Sequence, residues 1–390
     1  MNMSPVILAE SKERPDLALH DEYPVLQLTT TGDLNMCQYF THRSWTMDEK
    51  RLFFISNRHR GMELFFVDMT GGEIVQCSSD GNVFMHAWAL APDDRSIIYA
   101  GGARQDEFHQ VDLVSFEDRI VARIPEHFAG FAPSIIDICP DNDTFYMCAI
   151  KRPDLVPSNL LVGSIATGSV TPFFSPEDEA GNFFDHQMLA PGSSTLLQIN
   201  KTPRAEMGGD APQRMWLLNV ENRVLKPVYK QKKGRFHAFE RACHESWLPD
   251  GKHLCFVVRR DKVKVVSIDG DFGKETSWCA GQGPNFWHVS ANPAWPMLAA
   301  DTSWKDSGIW LIELVPGKKG RMFNLCLSRS EWQDPAWSSI QKLAWYPLQS
   351  HPHPGWSPSG RYLQFTSFSA AEKAVHVYLV DVQQSPFNND

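Results

Sequence analysis

The chain has no Cys-x-x-Cys pair among its eight cysteines, which removes the common thiol redox and zinc-ribbon signatures. It has no run approaching the roughly 18 apolar residues of a membrane span, so no membrane helix is expected. The opening Met1-Asn2-Met3-Ser4-Pro5 lacks a basic stretch followed by an apolar one, which argues against a signal peptide and for an intracellular protein. Net positive charge is missing as well. At −9 overall there is no basic stripe of the kind nucleic acid wants, although a small anionic ligand needs only local positive charge. Neither a phosphate-binding Gly-x-x-x-x-Gly-Lys loop nor a strand-associated Gly-x-Gly-x-x-Gly is present. A Gly-x-Ser-x-Gly elbow is absent too, because Gly355-Trp356-Ser357-Pro358-Ser359-Gly360 has the wrong spacing. No segment keeps a 3.6-residue apolar period over three turns, which removes long helices.

What the chain does have is a repeat. Turns of the Pro-Asp-Gly-Lys kind separate short apolar runs at Met47–Lys50, Pro92–Arg95, Pro140–Asp143, Pro191–Ser194, Pro249–Lys252, Asn292–Trp295 and Pro358–Arg361. They stand roughly 45 to 65 residues apart, a period that reads as propeller blades rather than helical hairpins. The runs between them, such as Leu52–Ile55, Leu64–Val67 and Val377–Leu379, are rich in β-branched and aromatic residues and read as strands. Seven four-stranded blades closed around an axis protect the sheet edges, so the expected fold is all-β, a single seven-bladed β-propeller. The last repeat is one strand short. Tyr23–Thr29 has the composition to supply it, which closes the ring by pairing the two ends of the chain. The expected organisation is therefore a polar tail at 1–22 followed by one propeller domain at 23–390.

Histidine is tied to this repeat. Counting back five residues from the start of a turn, or from Pro293 in the sixth repeat, reaches His42, His186, His244, His288 and His353. His86 is one residue off, and only the third repeat, with Ile135, has no histidine there. Chance placement of 14 histidines in 390 residues would put well under one at seven chosen positions. A histidine bonded within its own blade is a common structural device. As a group at one height around a channel, however, these residues point to a polar site at one mouth of the ring.

The last repeat opens Gln349-Ser350-His351-Pro352-His353-Pro354. In an extended strand, residues two apart share a face, about 6.5 to 7 Å apart along the chain. The two imidazoles can then converge on one ion, and His288, at the matching phase of the preceding blade, is the natural third ligand. Three neutral imidazoles with oxygen or water suit Mn²⁺, Fe²⁺, Co²⁺, Ni²⁺ or Zn²⁺. His244 opens the inner strand of the fifth blade, and Arg214 opens the third strand of the fourth. Connectivity makes these two neighbours across a blade boundary. Trp287, Trp304, Trp332, Trp337 and Trp345 gather in the last third, where sugar stacking and blade core are both open to them.

From about Gln213 to Ser367 the chain resembles the oligogalacturonate lyases, propeller-fold polysaccharide lyases that act on pectin fragments. The resemblance rests on Arg-Met-Trp-Leu at 214–217, Cys-His-Glu-x-Trp-x-Pro-Asp-Gly at 243–251, the His288 segment ending in Asp301, and His-Pro-His-Pro at 351–354. It implies metal ligands at His288, His351 and His353, a catalytic histidine at His244, an essential arginine at Arg214, manganese as the ion and a cytoplasmic setting. The family's glutamine ligand falls on Leu348, with Gln349 one residue later, so either Gln349 reaches the ion through a bulge or water completes the shell. A histidine-rich segment of the family appears here as Ile199–Arg204. His186, Lys201, Arg204 and His42 are the remaining candidates for contact with an anionic oligosaccharide substrate. The expected reaction is β-elimination from a uronate. The alternatives are a non-catalytic propeller that binds a ligand or protein, and the same chemistry on another uronate oligomer. No nucleic acid or membrane partner is expected.

Overall fold

The computed structural model describes residues 10–387 apart from 60, 80–81, 103–105, 129–130, 152–157, 175–181, 204–213, 233–239, 241, 259–261, 270–274, 277, 281–283, 304–305, 332–350 and 370. Seven sheets follow one another in chain order, antiparallel but for one parallel pairing of Trp278–Ala280 with Lys319–Gly320. Their inner strands are Asn35–Met36, Trp88–Leu90, Phe131–Ile138, Asn182–Leu189, Ala242–Trp247, Phe286–Ala291 and Gly355–Trp356. A single 3₁₀ turn at Glu126–Phe128 is the one helical element among the described residues. Among the described residues no helix is long and apolar enough to cross a membrane.

Local chemistry sets each hairpin between the first and second strands. In the anchor turns Asp48, Asp93, Asp141 and Asp250 accept the backbone N–H two residues on, the usual Asx-turn bond. The third turn residue is left-handed at Glu49, Asp94, Asn142, Gly251 and Gly360, a conformation that Gly, Asn and Asp tolerate best. The apolar faces of the sheets then pack on one another. One buried cluster fills each seam, from Phe53 and Ile55 against Trp88 and Tyr99 between the first two blades to Leu52 and Phe54 against Val377 and Leu379 between the last and the first. An unbroken series of seven such seams is a closed ring.

Closure uses the N-terminal strand, as expected. Val25–Gln27 pairs antiparallel with Ala374–Asp381, with Val25 opposite Val380 and Gln27 opposite Tyr378. Of the segment 1–22 read as a tail, residues 10–22 are packed, part on the same blade and part against the outer strand of the sixth, where Ala18 bridges to Cys326. Lys12–Glu13 adds a further strand outside Val25–Gln27. Arg14 donates to Gln27 Oε1 at 2.7 Å, and Leu17 is 1% exposed in the seam between the sixth and seventh blades.

Candidate metal centre

The inner strands carry an irregularity where they enter the axial channel. In the third to sixth blades the pairing skips one residue, between Pro133 and Ile136, Asp185 and Met188, Cys243 and Ser246, and Phe286 and Val289. A β-bulge of this kind bends the strand and re-aims a side chain. His186 and His244 sit inside these bulges with positive φ, 47° and 57°, and His86 and His353 adopt the same left-handed state at 66° and 46°. Left-handed backbone at a non-glycine residue costs roughly 1–2 kcal/mol, so four strained histidines at one mouth mark a site rather than a packing habit. The histidine phase of the sequence is the bulge of the strand.

Three histidines in these bulges, His186, His244 and His288, come together with His86, His351 and His353 around the channel. Ring centroids lie 4.2 Å apart for His288 and His353, 5.0 Å for His288 and His351, 5.2 Å for His351 and His353, and 4.5 Å for His244 and His288. One ligand atom each from His288, His351 and His353 falls within a sphere of mutual distances no larger than 4.8 Å. Nδ1 of His351 faces Nε2 of His288 at 3.4 Å, and two nitrogens bound at roughly 2.1 Å to one ion stand about that far apart. His353 is buried, and neither of its ring nitrogens has a hydrogen-bond partner among the described residues. A buried polar atom without a partner is costly unless something else satisfies it. The donor set fits a divalent transition metal.

Asp301, on the second strand of the sixth blade, orients the group. Its Oδ1 accepts the backbone N–H of His288 at 2.6 Å, and its Oδ2 lies 2.8 Å from Nδ1 of His288 and 3.1 Å from the backbone N of His353. When this carboxylate is ionised and Nδ1–H donates to it, the Nε2 lone pair of His288 is left for an ion, a common outer-shell arrangement of metal-bound histidine. Burial pushes the Asp301 carboxyl up to about 8, against the backbone N–H groups that favour its charged form. The imidazoles move the other way. Burial, then repulsion from neighbouring imidazoles (His186 in the case of His288), holds His288, His351 and His353 well below 6.5, so all three are neutral and competent to ligate near neutral pH.

His244 lies beside this triad, its ring 4.6 Å from that of Trp287, and its buried Nδ1 has no hydrogen-bond partner among the described residues. Its pKa is held well below 6.5 by burial first, then by His288 and Arg214. Arg214 comes across the boundary between the fourth and fifth blades. Its Nε is 3.7 Å from Oε2 of Glu245, the residue next to His244, and the other oxygen of Glu245 accepts from Asn200 Nδ2. The structure thus brings together His244, Arg214, His288, His351 and His353.

The other candidates divide. His186 faces the same channel and stacks on Tyr39 at 5.3 Å. Lys201 pairs beside Arg214, its backbone N–H donating to the Arg214 carbonyl at 2.8 Å, and its ammonium sits 4.3 Å over the Trp216 ring. His42 is engaged at both ring nitrogens, 2.8 Å from Thr41 Oγ1 and 3.1 Å from Asp137 Oδ1. Gln349 and Arg204 lie outside the described residues, as do Trp304, Trp332, Trp337 and Trp345. Sequence reasoning missed Asp301 as an orienting group, Glu245 as the partner of Arg214, and the pair Tyr39 and Phe40. Asp301 had a signal: it stands thirteen residues beyond His288, across one hairpin.

Comparison with known proteins gives the same direction. No family model matches the chain. An oligogalacturonate lyase of Dickeya dadantii is 21% identical, with 93% of this chain and 94% of that protein covered. An oligogalacturonide lyase of Pectobacterium atrosepticum is 22% identical with the same coverage. The chain resembles oligogalacturonate lyases along nearly its whole length. Among solved structures, an oligogalacturonate lyase in complex with manganese superposes with a TM-score of 0.74 at 18% identity, over 96% of this chain and 98% of that one. The oligogalacturonate lyase of Vibrio parahaemolyticus gives 0.76 at 17% identity, over 96% and 97%. At such identities the superpositions establish the seven-bladed fold.

Proposed function

We propose that the protein is a metal-dependent lyase that cleaves short oligogalacturonates, the fragments of pectin, by β-elimination. The observation that carries the reading is the convergence of His288, His351 and His353, with His244 and Arg214 beside them, in a chain similar over nearly its full length to proteins named for this activity. His288, His351 and His353 would hold the ion, with Gln349 or water completing the shell, and manganese is the ion of the solved relative.

Elimination removes the proton on C5 of a 4-linked uronate and expels the glycosyl oxygen at C4. The obstacle is the second negative charge that builds on the carboxylate as the C5–H bond breaks. A bound divalent cation supplies Lewis-acid stabilisation of that charge. Arg214 adds a guanidinium aimed at the same group, and buried Glu245 holds it from behind. His244 takes the C5 proton. It is neutral at working pH because burial depresses its pKa, so it is ready as a base without prior deprotonation. His186 and Lys201 border the mouth as contacts for the rest of the oligomer, and Arg204 and His42 complete the set proposed for substrate. A cytoplasmic setting fits Cys37, Cys77, Cys139, Cys148, Cys243, Cys255 and Cys326, all free and buried.

The test is direct. Purified protein supplied with Mn²⁺ and di- or trigalacturonate should generate the ultraviolet absorbance of a new C4=C5 double bond. Absorbance from glucuronate or rhamnose-containing oligomers alone would keep the chemistry and change the substrate. No product from any uronate oligomer would leave the protein a binding propeller.

A further inference from the structure

The first blade departs from the others at the bulge. Its inner strand pairs Met36 with Ile55, and pairing resumes only at Trp45 with Leu52. Residues 37–44 therefore stand against Phe53 and Phe54 alone, where the third to sixth blades insert a single extra residue. The strand extrudes a loop, and the loop is tied down. The His42 N–H donates to the Tyr39 carbonyl at 2.8 Å and the Gln38 N–H to Ser44 Oγ at 2.9 Å. The buried Gln38 side chain donates to the carbonyls of His86, at 3.2 Å, and Trp88 in the second blade.

The loop's tip carries Tyr39 and Phe40, which are 8% and 5% exposed. Tyr39 lies with its ring centroid 5.3 Å from His86, 5.3 Å from His186, 5.9 Å from His288 and 4.8 Å from His353. Phe40 is 4.8 Å from His288 and 6.0 Å from His353. Ile135 of the third blade completes one apolar cluster with the two aromatic rings. A cluster that touches the second, third, fourth, sixth and seventh blades at once stands on the axis.

We infer that Tyr39 and Phe40 are positioning residues, an apolar plug that closes the axial channel against His288 and His353 and retains the ion by keeping water from that side of the ligands. The inference rests on the proposed metal site. The apolar shell around a metal governs solvent access and local dielectric, and changes to outer groups typically cost 10- to 100-fold in metal affinity. With the plug in place, exchange runs through the substrate mouth alone. Without it, water reaches the ligands from behind and competes for them.

The full-length protein loaded with Mn²⁺ is mixed with excess chelator, and release is followed by the magnetic resonance signal of the ion. Phe40→Ala should release Mn²⁺ about 10-fold faster or more, Phe40→Val less so, and Phe40→Leu near the wild-type rate. Leu161→Ala, which loosens the distant seam between the second and third blades, should leave release unchanged. Equal rates for wild type, Phe40→Ala and Phe40→Val would overturn the plug, as would acceleration by Leu161→Ala to the extent of Phe40→Ala. If Phe40→Ala does not fold, Phe40→Val decides the matter by the same comparison. A wild type that takes up no Mn²⁺ fails the metal reading itself, a result separate from any difference among variants.

Discussion

Asp301 holds two of the three candidate ligands at once: its Oδ2 is 2.8 Å from Nδ1 of His288 and 3.1 Å from the backbone N of His353. The two histidines belong to different blades, so one buried carboxylate sets the geometry of the site across the seam between the sixth and seventh. Asp301→Asn keeps the shape but removes the carboxylate whose charged form, favoured by a cation on His288 against the burial that raises its pKa to about 8, would hold the proton on Nδ1. It should weaken metal affinity by about 10- to 100-fold, measured by titration of metal-free protein with Mn²⁺. Unchanged affinity would make Asp301 a structural group only.

Metal content should follow the ligands and not the fold. Protein prepared without chelator should hold about one ion per chain by elemental analysis, as the one such cluster among the described residues offers one position. The double variant His351→Ala with His353→Ala should hold none. Chelation should abolish turnover while the far-ultraviolet dichroism stays intact, because the core resides in seven seams between blades rather than around the ion. Unfolding on chelation would contradict this.

The ring was legible in the sequence because its signals repeat. Each anchor turn restates the same chemistry, a side-chain oxygen of Asp, Asn or Ser accepting a backbone N–H two residues on, and a histidine recurring at one phase cannot be read from any single blade. What escaped was whatever occurs once. The packing of residues 10–22 is carried by Leu17 and Arg14 within a polar, charged stretch that has no periodicity to reveal it. Tyr39 and Phe40 occupy a loop that, among the described residues, sets the first blade apart, and Asp301 acts through a strand pairing that must be known before its partner can be named. Leu17→Ala should cost about 2–5 kcal/mol of stability, measured by urea unfolding, where a loose tail would cost nothing.

Acid sensitivity should trace in part to His86. Burial first, then His186, His288 and His42, lower its pKa from 6.5 to about 3. The folded value lies below the unfolded one, so the unfolded chain takes up the proton first as pH falls. Stability of the metal-free protein should therefore be unaffected by this group above pH 6.5 and decline progressively from there toward pH 3. His86→Asn removes the titration, and asparagine tolerates the left-handed backbone at that position. The loss of stability between pH 7 and pH 4.5 should shrink by up to roughly 2 kcal/mol in this variant. An identical loss in both proteins would show that His86 is solvated.

The division of labour between base and guanidinium can be separated by kinetics. If His244 is the base, His244→Ala should keep Mn²⁺ and substrate binding and lose on the order of 10²- to 10⁴-fold in kcat, since proton transfer belongs to the transition state alone. Arg214 meets a carboxylate already charged in the ground state, so Arg214→Ala should raise KM as well as lower kcat. Arg214→Lys should rescue only partly, because an ammonium lacks the planar fork. Glu245→Gln should resemble a weakened Arg214→Ala, as its carboxylate faces the Arg214 Nε at 3.7 Å and is otherwise held by Asn200. Should His244→Ala remain near full activity while His186→Ala is dead, the base is the neighbouring histidine of the same ring. The pH profile then follows: with the base held well below 6.5 by burial, turnover should be level above pH 6.5 and fall only on further acidification. A rate still climbing between pH 7 and 9 would mean that some other group, with an ordinary or raised pKa, removes the proton.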